Sequence, residues 1–105
     1  MENSEIITKL TEIYGIQRRN KKQMDSYIVK YNDDPIKMSK ALLKYYKTEI
    51  GNTTETIKLI DKSYDLVRDE YKEKLSEMKK NMKDYVDSME KKVENINKML
   101  KLLGI

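Results

Sequence analysis

An all-α fold of three helices of unequal length is predicted by three observations. Apolar residues recur at alternating spacings of three and four along most of the chain, the period of one helix face. Helix-breaking residues cluster at two interior places, Asn32-Asp33-Asp34-Pro35 and Gly51-Asn52-Thr53. Charged side chains make up 38% of the 105 residues, equal to the apolar share and well above the roughly 25% of an ordinary globular chain. Such polarity suits extended helices with wetted outer faces. The expected spans are about residues 4–31, 35–50 and 53–103.

In the first helix Ser4 reads as an N-cap with Glu5 in the first turn. Ile6, Leu10, Ile13, Gln17, Asn20, Met24, Tyr27 and Tyr31 then form a seam with a polar middle. Gly15 costs about 1 kcal/mol relative to Ala where the seam turns polar, which leaves a kink or break open there, with one helix over about residues 4–31 as the preferred reading. Asp34 and Pro35 suit the cap and first position of the second helix, whose broad face carries Met38, Leu42, Tyr45, Tyr46 and Ile50. Gly51 fits the left-handed position after a helix, and Asn52 with Glu55 resembles a capping box for the third. That third helix carries Ile57, Ile60, Tyr64, Val67 and Tyr71, then Leu75, Met78, Met82, Tyr85, Met89, Val93, Ile96, Leu100 and Leu103. As one rod of some fifty residues it would be about 75 Å long.

Two regions follow. Residues 1–74 are expected to form a bundle around the start of the long helix. Residues 75–105 are expected to project as a coiled-coil oligomerisation segment, with Leu75, Met78, Met82, Tyr85, Met89, Val93, Ile96, Leu100 and Leu103 as the interface to a second copy or a helical partner. Met99, Leu100, Leu102, Leu103 and Ile105 widen the apolar surface at its end.

The chain contains no His and no Cys, so the commonest general base, imidazole ligand and thiol nucleophile are missing. The three glycines are isolated and build no phosphate loop. Asp69, Glu70, Glu73 and Glu77 are interleaved with Lys72 and Lys74, a pattern of solvated charge and not of a metal site. No catalytic residue, metal or cofactor is expected. The function expected is that of a structural, scaffolding or adaptor subunit; a small inhibitor or chaperone docking on one target protein is an alternative that fits the same helices.

Net charge is +4. Arg18, Arg19, Lys21 and Lys22 form the densest basic cluster, and the competing expectation is a nucleic-acid-binding accessory protein that uses them. No apolar run approaches a membrane span, and the acidic N-terminus lacks the features of a signal peptide, so a cytoplasmic location is the default. Richness in Lys, Asn, Ile and Tyr beside a single alanine, Ala41, points to an AT-rich genome such as that of a virus, phage or low-GC microbe; a viral chain would work in the virion or inside the host cell. In length and central turn the chain resembles small secreted helical hairpins of the WXG type, but Glu49-Ile50-Gly51 lacks their tryptophan and Pro35 interrupts the first arm.

Overall fold

The computed structural model describes residues 3–104, and Ile105 lies outside them. Three helices account for nearly all of this span: α1 over Asn3–Lys30, α2 over Pro35–Ser63 and α3 over Asp69–Leu102. Among the described residues there is no strand. α1 runs unbroken through Gly15, and it already includes Ser4, the residue expected to cap it. α2 opens as expected, with Pro35 in its first turn and the Asp34 carboxylate accepting the Lys37 amide at 3.1 Å. Such a cap is worth about 1 kcal/mol.

The division between the second and third helices falls elsewhere than the punctuation suggests. Residues 51–53 lie inside α2, and the chain breaks at Tyr64–Arg68 through one 3₁₀ turn, Tyr64–Leu66, and extended Val67 and Arg68. No glycine, proline or side-chain cap marks this break. Ser63 turns its hydroxyl back to the Ile60 carbonyl, and the aromatic, β-branched and Asp residues of Tyr64-Asp65-Leu66-Val67 are weak helix formers. Asp69 and Glu70 then supply acidic side chains to the first turn of α3. The glycine that does end a helix is Gly104, whose φ of +76° takes the left-handed conformation just past α3.

This relocation changes the shape. The longest dimension is 52 Å, so there is no 75 Å rod, and α3 folds back along α2 in place of projecting. Asp61 pairs with Lys79, Glu49 with Tyr85, and Tyr46 with Lys92, an antiparallel register that spans most of both helices. α1 lies antiparallel on another face of α2, where Met24 and Tyr27 meet Ala41, Lys44 and Tyr45 around a cavity of about 30 Å³. α2 is therefore the shared central helix, and its contacts with α1 and α3 dominate the packing. The apolar core draws on all three: Ile13 and Met24, Leu59 and Ile60, Met89 and Leu100.

Gly51 now occupies the interior of a helix, with open space where a Cβ would stand. Gly51→Ala should therefore stabilise the fold by about 0.5–1 kcal/mol, measured as a higher urea midpoint. A lower midpoint would show that residue 51 needs glycine's backbone freedom after all.

Candidate functional site

A helix repeats every 3.6 residues, so side chains seven apart form a row that drifts by only about 20° per step. On α3 the rows Leu75, Met82, Met89, Ile96 and Lys72, Lys79, Val86, Val93, Leu100 are half-buried or buried and face α2. A neighbouring row, Tyr71, Met78, Tyr85, Lys92 and Met99, is exposed. It lies about 80° from the middle of the buried face. The fold thus spends two rows internally and leaves a third, largely apolar, at the surface.

That row borders a groove between α1 and α3. One hollow of about 340 Å³ is lined by Gln17 of α1, Thr53 and Thr56 of α2, and Met78, Asn81, Met82 and Tyr85 of α3. A second, of about 400 Å³, shares Gln17 and Tyr85 and adds Tyr14, Arg18, Lys21, Tyr45 and Glu49. The groove exists because both outer helices pack chiefly on α2.

Its floor holds an acid. Glu49 is only 6% exposed, one helical turn beyond Tyr45 and Tyr46 on α2. Its Oε2 accepts from the Tyr85 hydroxyl at a long 3.5 Å, and its Oε1 is buried without a hydrogen-bond partner. Among the described residues no basic group pairs with it: Arg18 and Lys21 line the same hollow, but the Arg18 guanidinium sits over the Tyr14 ring, 5.9 Å from its centroid. Burial pushes the Glu49 carboxyl above its ordinary value, partly opposed by the Tyr85 hydrogen bond. Burial, and after it the proximity of Glu49, raises the Tyr85 and Tyr45 hydroxyls as well.

The nine interface residues expected from the sequence separate accordingly. Met89 and Leu100 are buried within the chain, and Leu75, Met82, Val93 and Ile96 are half-buried, while Met78, Tyr85 and Leu103 remain exposed. Met99, and Leu102 at 88%, extend this exposed surface to the end of α3. Arg18, Arg19, Lys21 and Lys22 are all exposed, but only Arg18 and Lys21 line the groove, so the cluster wraps the helix and does not form one stripe. Glu49 and Lys92 were not singled out from the sequence. A charge in register with Leu42, Tyr46, Thr53 and Ile60 was the available signal, hidden once the second helix was ended at residue 50.

No family model matches this chain, nor does any curated protein or solved structure. Among the described residues no cluster of carboxylates is placed to hold a metal ion, and no helix is long and apolar enough to cross a membrane. The chemistry on offer is that of apolar contact beside a carboxylate that lacks a cation.

Because its folded-state value is raised, Glu49 favours folding while protonated, and that contribution is lost as pH rises from the ordinary glutamate range through the raised value. In dilute solution, the melting temperature of Glu49→Gln minus that of the parent should therefore widen by a few degrees as pH rises from about 4 to about 8. The titratable and charged groups that share the hollow with Glu49 are Tyr14, Tyr45, Tyr85, Arg18 and Lys21. A difference that stays flat across this range would show that Glu49 ionises freely in the fold.

Proposed function

We propose that this chain is a non-enzymatic structural or scaffolding subunit that works by helix–helix association through the outward side of α3. The observation that carries the reading is the exposed row Tyr71, Met78, Tyr85 and Met99 beside an open groove, with Met78 46% and Tyr85 39% exposed. Single exposed apolar residues are ordinary, but an aligned series along one helix edge is what an association surface needs. The row is narrow and interrupted by Lys92, which suits a reversible contact more than a permanent, core-like one. The non-enzymatic part of the reading rests on the residue inventory, which lacks His and Cys and has no glycine-rich loop.

Sedimentation velocity over about 1 to 100 µM is the direct test, since micromolar association corresponds to roughly −8 kcal/mol. The expected result is a dimer or larger species that grows with concentration. Met78→Lys together with Met99→Lys should return the chain to monomer with an unchanged helical circular dichroism spectrum, because both side chains lie at the surface. A parent chain that sediments as a monomer throughout overturns the reading.

A further inference from the structure

The outward surface of α3 carries three adjacent rows, and together they are self-complementary. The first is Met78, Tyr85, Lys92 and Met99. Next to it lie Asn81, Ser88 and Asn95, uncharged and exposed in a chain with 38% charged residues. Beyond these lie Glu77, Asp84, Lys91 and Lys98, all exposed. This last row changes sign between residues 84 and 91, at the level of Ser88.

We infer that this surface is a two-fold interface between two copies of the chain, with the α3 helices antiparallel and the axis passing beside Ser88. The inference rests on the reading above and names its occupant. In an antiparallel two-fold pair each flanking row meets its own counterpart in the opposite direction. With the axis at Ser88, Glu77 faces Lys98 of the second copy and Asp84 faces Lys91 of the second copy, each pair occurring twice. In the middle Asn81 meets Asn95 of the second copy, and the two Ser88 side chains meet each other. On the inner flank Met78 meets Met99 of the second copy, and Tyr85 meets Lys92 of the second copy.

Other arrangements fail on charge. A parallel two-fold pair sets the outer row against the inner row of the second copy, so that Lys91 meets Lys92 and neither Glu77 nor Asp84 meets a base. Moving the axis one half-heptad toward the C-terminus sets Lys91 on Lys91 and Lys92 on Lys92. Moving it the same distance toward the N-terminus sets Asp84 on Asp84. Like charges in direct opposition disfavour those registers. The small Ser88 at the crossing lets the backbones approach.

The register also completes the groove. Lys92 rests over the Tyr46 ring in its own chain, 5.5 Å from the centroid, and so already lies along this edge of α3. Brought to Tyr85 of the second copy, its ammonium meets an aromatic face and, behind the hydroxyl, the Glu49 carboxylate that has no cation of its own. Lys98 is held by Glu94 at 3.1 Å within its helix and keeps further N–H donors for a second carboxylate.

Two measurements on the full chain test this. The chain has no cysteine, so Ser88→Cys should give a disulfide-linked dimer on mild oxidation, while Ser76→Cys, on the opposite edge of α3 beside Asp61 and Lys79, should not. Lys91→Glu with Lys98→Glu should raise the dimer dissociation constant by roughly tenfold or more, and adding Glu77→Lys with Asp84→Lys should restore it. All four positions are exposed, so the helical circular dichroism spectrum should stay close to the parent. A dimer that Ser88→Cys does not trap, or that the paired charge reversal leaves unchanged, overturns the inference and leaves the association reading standing. A monomeric parent overturns both.

Discussion

The antiparallel contact between α2 and α3 is the constraint on which the rest of this structure depends. Had the chain continued as one helix past Ser63, the stripe from Leu75 to Leu100 would have faced water. Folding back at Tyr64–Arg68 gives up a few helical hydrogen bonds and leaves α3 without a side-chain cap. In return Met89 and Leu100 are buried, and Leu75, Met82, Val86, Val93 and Ile96 are half-buried. Full burial of one such side chain is worth about 1.5–3 kcal/mol, so two or three are enough to offset the break. The same return makes α2 a shared central helix, and a shared central helix leaves a groove.

This balance explains what was legible in the sequence and what was not. The all-α class was legible, because apolar residues at helical spacing do form helix faces in the fold: Ile13, Met24 and Met89 are buried and Met82 half-buried, although Met78 and Tyr85 of the same expected α3 seam stay exposed. The Asp34-Pro35 start of α2 was legible because a cap and a proline act locally. Gly51 misled for the same reason. Its local preference amounts to about 1 kcal/mol, less than the gain from burying Thr53, Leu59 and Ile60 along one continuous face. The true break carries no breaker residue, since it is set by where α3 can lie down. Once α2 was cut short, Glu49 became the last turn of a short helix instead of the middle of a long one.

At Glu49 a buried carboxylate with one long hydrogen bond lowers the stability of the single chain. A small bundle has little margin for this, as domains near 100 residues hold on to only about 5–15 kcal/mol. An aliphatic side chain at position 49 would pack against Tyr85 and Tyr45 without that penalty. The carboxylate makes physical sense where a cation is brought to it, and the chain's own Arg18 and Lys21 stay on the rim. A group that is unfavourable alone and favourable in company favours association in one register over others.

The way this chain divides its surfaces follows from its composition. With apolar residues at 38%, the seams suffice to hold three helices together and leave exposed the narrow edge of α3, besides side chains elsewhere such as Tyr14, Val29 and Leu66. An interface built on that remainder cannot draw most of its free energy from buried apolar area, and must take orientation from charge. The outer row of α3, acidic at Glu77 and Asp84 and basic at Lys91 and Lys98, supplies such orientation at rim positions, where each pair contributes modestly. Charges of this kind act mainly on encounter rate and register, and salt screens them over about 10 Å at 0.1 M. The proposed dimer would accordingly form fast, exchange readily and weaken with ionic strength, the behaviour of a subunit that assembles reversibly and not of one half of a permanent core.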